Sequence, residues 1–184
     1  MNILALSGSR RAASINTALL RSAARIAPPA CRITLFASLG ELPLFNPDLE
    51  ATLPAAVATL RQAVAAADAL LVASPEYAHG VSGTMKNALD WLVSYEGFVD
   101  KPVAVWNSSP RAHHAYDALL ETLRTMSASI VREACVAIPL LGSGLDEEAM
   151  IGDPAVAGSI RGALQSLRAA VSHGISTAPS FPVQ

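Results

Sequence analysis

Short apolar runs alternate with longer amphipathic stretches along the whole chain. Asn2–Leu6, Ala69–Ala73, Lys101–Trp106 and Ile130–Ile138 read as strands, and Cys31–Ala37, which alternates polar and apolar residues, reads as another. Runs that are apolar throughout are what strands need when helices cover both faces of a sheet. Between them, Leu19, Leu20, Ala23 and Ile26 recur at helical spacing over Asn16–Ile26, and Val57, Leu60 and Val64 do so over Pro54–Ala67. Met85, Ala88, Leu89, Leu92 and Val93 predict one face of a third helix, and a fourth is expected from about His113 to Met126. The last helix turns Val156, Ile160, Leu164, Leu167 and Val171 inward. Asp153-Pro154 starts it, a cap followed by a proline in the first turn, and Gly174 ends it. Ser14 is placed to cap the first helix, and Pro28-Pro29 stops it. Gly40, Pro43 and Pro47 mark a loop, and Leu141–Gly152 reads as a second, polar one.

Five strands thus alternate with five helices, and each crossover is long enough to bring the next strand back parallel. The expected fold is a single α/β domain over residues 1–178. It has a five-stranded parallel sheet in the order 2-1-3-4-5, helices on both faces, and a short C-terminal tail from Pro179 to Gln184. Open sheets of this kind take ligands at the C-terminal ends of their strands, which directs attention to the loops there.

Composition narrows the function classes. The chain has 184 residues, of which 52% are hydrophobic and 15% charged, enough for a well-buried core. A net charge of −2 and aromatic content of 5% point away from nucleic acid and from acidic membranes. The opening MNILALSGSRR has too short an apolar core for a signal peptide, with its basic residues on the wrong side, and no run approaches a membrane span. A cytoplasmic location is expected. Cys31 and Cys135 lie in apolar runs and read as buried free thiols, and no ligand spacing suggests a metal.

Two loops carry candidate chemistry. The first, Gly8-Ser9-Arg10-Arg11-Ala12-Ala13-Ser14-Ile15-Asn16, joins a strand to a helix, where free amides and the helix dipole attract an anion. Ser9, Ser14 and Asn16 add neutral donors and Arg11 a bidentate cation. It lacks the second glycine and the lysine of a P-loop, and a dinucleotide fingerprint would need glycine where Arg10 and Ala13 stand. Hydroxyls and one arginine suit a terminal phosphate monoester. The competing reading is that Ser14 only caps the helix and the arginines are solvated. The second loop opens the stretch Ser74–Trp91, SPEYAHGVSGTMKNALDW. Pro75 ends the strand ladder, and Gly80 and Gly83 let the backbone turn sharply beside a flat ligand.

The two loops together resemble those of the NAD(P)H-dependent FMN reductase family, which includes chromate, quinone and azo-dye reductases. The family pattern G-S-x-R-x-x-S-x-N is met by Gly8, Ser9, Arg11, Ser14 and Asn16. The pattern P-E-Y-N-x-S-x-P-G-x-L-K-N-A-I-D-W is met by Pro75, Glu76, Tyr77, Gly83, Lys86, Asn87, Ala88, Asp90 and Trp91. The resemblance implies a flavodoxin-like fold, FMN as cofactor and NAD(P)H as co-substrate, with a small-molecule electron acceptor and a homodimer or homotetramer. It implies that Ser9, Arg11, Ser14 and Asn16 hold the phosphate, with backbone help near Ile15. Pro75, Glu76, Tyr77, Ala78 and Gly80 would lie along the isoalloxazine, and Ser108 and Ser109 would flank it from the other side. Ala78, Gly80 and Ser82 stand where the family usually has Asn, Ser and Pro, so ring contacts there would come from backbone.

Single residues have local readings. Glu76 is expected to serve through its backbone or a nearby base, and Tyr77 to line the pocket. His113 and His114, adjacent on a helix, should point about 100° apart. Lys86 and Asp90 suit an i, i+4 pair. Trp91, off the inward face of its helix, is expected to anchor a subunit contact. A flavodoxin-type electron carrier is the rival reading. The arginine in the phosphate loop and the weak net charge disfavour it, and the residues after the first and third strands disfavour a receiver-like module.

Overall fold

A computed structural model describes residues 1–109 and 111–174. Strand β1 (Asn2–Ser7) leads into α1 (Ile15–Ile26), and β2 (Arg32–Leu35) follows. Two 3₁₀ turns, Leu39–Glu41 and Pro47–Thr52, precede α2 (Ala55–Ala66). Strand β3 (Ala69–Ala73) opens onto a hairpin of β4 (Glu76–Tyr77) and β5 (Gly80–Val81), which feeds α3 (Gly83–Asp90). The chain continues through β6 (Pro102–Asn107), α4 (His113–Thr125), β7 (Ser129–Ile130), β8 (Val136–Ala137), α5 (Glu147–Gly152) and α6 (Pro154–His173). The expected domain limit at 178 and the tail 179–184 lie outside the described residues.

The main sheet runs β2-β1-β3-β6-β7, with β8 beside the far end of β6, and its pairings are parallel. This is the expected flavodoxin-like order, with β7 and β8 sharing the fifth place. Alternate residues of each central strand feed opposite faces. Leu4, Leu6, Leu70, Val72, Val103 and Val105 pack with Val57 and Leu60 of α2, Met85 and Leu89 of α3 and Leu119 and Leu123 of α4. Ile3, Ala5, Leu71, Ala104 and Trp106 pack with Leu19 and Leu20 of α1 and Ile160, Leu164 and Leu167 of α6.

Four expectations are corrected. The run Ile130–Ile138 is not one strand: a 3₁₀ turn at Arg132–Ala134 divides it. Arg132 and Glu133 are exposed, because adjacent charges cannot both leave an apolar sheet edge except by bulging outward. The stretch read as a polar loop contains α5, capped by Asp146, whose Oδ1 accepts from the Ala149 amide at 2.9 Å. Its one buried side chain, Met150, is too little to show as periodicity. Val93 is 61% exposed, because α3 ends at Asp90 before the stripe reaches it. Trp91 is fully buried in the monomer. Its indole N–H donates to the Pro43 carbonyl at 2.8 Å, and Phe45 packs edge-on at 5.0 Å. Asn87 pins the same loop by donating to Pro43 O and accepting from the Phe45 amide. The tryptophan therefore holds the Gly/Pro-marked loop, not a neighbouring subunit. The Lys86–Asp90 pair forms at 2.6 Å.

Candidate functional site

The loops after β1, β3 and β6 converge on a cleft of about 280 Å³. From the 8–16 loop, Ser9, Arg11, Ser14, Ile15 and Asn16 all line the cleft. Ser14 is buried and caps α1, its Oγ accepting from the Thr17 amide at 3.2 Å. Capping and cleft lining thus coexist at one residue. Ile15 opens the helix, and the first helical amides have no partner within the helix. Arg11 is exposed and reaches the cleft as a cation. Asn16 is 4% exposed and its Oδ1 accepts from Ser108 Oγ at 2.7 Å. Its amide oxygen is therefore spent on joining the loops of β1 and β6.

Pro75, Glu76 and Tyr77 line the cleft from the loop after β3, and Ser108 and Ser109 from the loop after β6, where Ser108 meets Asn16. Asn107 shapes the second wall: its Oδ1 accepts from the Ser109 amide at 2.9 Å and its Nδ2 donates to the Ala112 carbonyl at 3.2 Å. Glu76 has a structural task. Its Oε2 accepts from the Ala115 amide at 2.9 Å, at the N-terminus of α4, where Ala112 offers no side-chain cap. Helix amides and dipole suit a carboxylate there. Tyr77 is 54% exposed at the rim. Ala78 and Gly80 do not line the cleft. They form the turn and second strand of the hairpin, and the left-handed φ values fall on Ala78 and His79, not on Gly80.

Sequence reasoning missed Ser74, Asn107, Arg111, Ala112 and Leu141, which also line the cleft. Asn107 had a signal, since an Asn at the start of a turn bonds the backbone two residues on. Leu141 had none, because only the sheet's closure brings it near. His113 and His114 are exposed, and their rings lie 4.0 Å apart at a tilt of 37°, with the His79 ring tilted against His114 at 4.3 Å. Among the described residues no group of three or more His, Cys, Asp or Glu side chains is arranged to hold a metal.

The donor set fits a planar ring bearing a terminal phosphate. Hydroxyls, helix-start amides and the Arg11 guanidinium line the cleft from the 9–16 loop, and Pro75–Tyr77 and Ser108–Ser109 line the rest of it. Two arginines, Arg11 and Arg111, face the cleft against a single carboxylate already engaged by α4. No helix among the described residues is long and apolar enough to cross a membrane.

Comparison with known proteins agrees with this geometry. The chain is 40% identical over 112 residues to an NAD(P)H-dependent FMN reductase of Pseudomonas aeruginosa, a match covering 59% of this chain and 60% of that protein. It is 40% identical over 117 residues to an NADPH:quinone oxidoreductase of Arabidopsis thaliana, covering 61% and 56% respectively. The matches therefore span less than two thirds of the length of these relatives. Among solved structures, a flavoenzyme NAD(P)H:(acceptor) oxidoreductase from Paracoccus denitrificans superposes with a TM-score of 0.78 at 23% identity, over 94% of this chain and 97% of that one, which shows a shared fold. The family model for NADPH-dependent FMN reductases matches residues 1–141, and the chain belongs to that family.

Proposed function

We propose that this chain is an FMN-dependent oxidoreductase that draws hydride from NAD(P)H and passes electrons to a quinone, azo compound, metal oxyanion or free flavin. The observation that carries the reading is one cleft lined by both motif loops, with Ser9, Arg11, Ser14 and the start of α1 contributed by one and Pro75–Tyr77 by the other. FMN, when bound, supplies a ring N5 that accepts hydride and returns the electrons. Ser9, Ser14, Arg11 and the amides at Ile15 and Asn16 would hold the phosphate. Pro75–Tyr77 and Ser108–Ser109 would fix the ring between two walls. Exposed Tyr77 and Leu141 would offer an apolar rim to an incoming nicotinamide or quinone ring. Glu76 is held by α4, so the chain's contribution is binding and orientation, with no side chain given a proton-transfer role. The names of the relatives, an FMN reductase and a quinone oxidoreductase, support the same chemistry. A cytoplasmic homodimer or homotetramer completes the proposal, with exposed Leu44 and Val93 as apolar side chains that a second subunit would cover.

Purified protein incubated with FMN and desalted should retain yellow flavin and oxidise NADPH or NADH when given a quinone. Protein that emerges colourless and inactive would overturn the reading. Stopped-flow reduction separates it from a pure electron carrier, whose flavin would not bleach on mixing with either nucleotide.

A further inference from the structure

Ser82 does not line the cleft, yet it ties together two of the loops that do. It is 2% exposed and sits between the β4–β5 hairpin and α3. Its Oγ donates to the Gly8 carbonyl at 2.7 Å, across 74 residues of sequence. The same oxygen accepts from the Met85 amide at 3.3 Å, capping α3, and from Ser74 Oγ at 3.2 Å. A hydroxyl has one proton and two lone pairs, so all its capacity is used. Gly8 is held from its other side as well, its amide donating to Ala73 O at 2.8 Å. The contact is tight: a Cβ on Gly8 would stand 2.6 Å from Ser74 Oγ and 2.7 Å from Ser82 Oγ. Gly8 begins the loop that carries Ser9 and Arg11, and Ser74 begins the wall that carries Pro75, Glu76 and Tyr77.

We infer that Ser82 is a positioning residue that couples the anion-binding loop to the ring-binding wall, so that occupation of one pre-orders the other. The inference rests on the flavin reading above and adds a property to it. A buried hydrogen bond that fixes one loop's carbonyl to the other loop's helix start shares the ordering cost between them. Whichever ligand fragment binds first leaves less freedom for the second to remove. The two fragments of FMN, an inorganic phosphate and a riboflavin, should therefore bind cooperatively.

The test measures riboflavin affinity by fluorescence quenching, with and without saturating inorganic phosphate, in the wild type, Ser82→Ala and Ser82→Thr. Phosphate should tighten riboflavin binding by about fivefold or more in the wild type, in the range usual for coupled sites. The factor should fall to about one in Ser82→Ala, where phosphate and riboflavin still bind separately, and return in Ser82→Thr, which keeps the hydroxyl. Ser82→Pro is compatible with the φ of −56° at this position and removes the hydroxyl in a second background. A factor unchanged in either Ser82→Ala or Ser82→Pro would overturn the inference, since a purely structural residue would weaken both ligands and leave their coupling intact. A wild type without coupling would overturn it too. Failure of the wild type to bind riboflavin or FMN at all is the separate signature of a wrong flavin reading, on which the inference falls with it.

Discussion

Ala78 and His79 hold φ values of 50° and 59°, left-handed conformations that a side chain with a Cβ resists. They make the two-residue turn between β4 and β5, where Asn or Gly is the usual solution. Ala78→Gly should stabilise the protein by about 1 kcal/mol, read as a higher urea midpoint at unchanged slope. Tyr116 carries a second residue-scale consequence. Burial, and next to it the Cys135 thiol, push its phenol up to about 12. The open chain ionises near the ordinary 10.0, so this group holds the native state below that pH and its contribution is lost as the pH climbs to about 12. Tyr116→Phe should flatten the alkaline fall in stability across that window, and the 295 nm absorbance step at about 12 should vanish with it. At this scale the sequence named Ser9, Arg11, Ser14, Ile15, Asn16 and Pro75–Tyr77, which line the cleft, but missed Ser74 and added Ala78 and Gly80, which do not line it. It did not show that Asn16 would spend its oxygen on Ser108, because that contact joins positions 92 residues apart.

Among elements, α4 begins without a cap of its own and borrows one. Glu76, on a different element, accepts from the Ala115 amide. Glu76→Ala should cost about 1 kcal/mol of stability, the usual effect of losing a helix cap, and calorimetry that finds no change would contradict the assignment. Arg61 of α2 plays a comparable part on the opposite side. Its guanidinium donates to the Trp91 carbonyl and to Glu50, joining the Pro47–Thr52 turn to the end of α3. The Ser94 hydroxyl first, and then Arg61, hold the Glu50 carboxyl below its ordinary value. Strong periodicity placed α1, α2 and α6 well. The hairpin, α5 and the break in the fifth strand escaped, since elements of two to six residues show too few turns or alternations for a period to appear.

On the scale of the whole molecule, the cleft exists only when β1, β3 and β6 lie side by side, so its ligand should bind the native state alone. FMN at a hundred times its Kd should then raise stability by about 2.7 kcal/mol, with a Tm that climbs with FMN concentration. Arg11→Ala should weaken FMN about thirtyfold, the scale of one hydrogen bond to a charged group, and leave riboflavin binding unchanged. Equal losses for both ligands would place Arg11 away from the phosphate.

The sequence by itself determined the layered α/β fold, the parallel sheet and the two loops that meet at the cleft, because each follows from local patterning and from handedness rules that act along the chain; the strand order was the simplest of several that those rules allow. Tertiary structure alone decided that Trp91 is buried under the 42–46 loop instead of facing a second subunit, that Glu76 serves as a distant helix cap, and that Ser82 joins Gly8. Each of these is a contact between residues far apart in sequence, fixed by which backbone groups the assembled sheet leaves without partners.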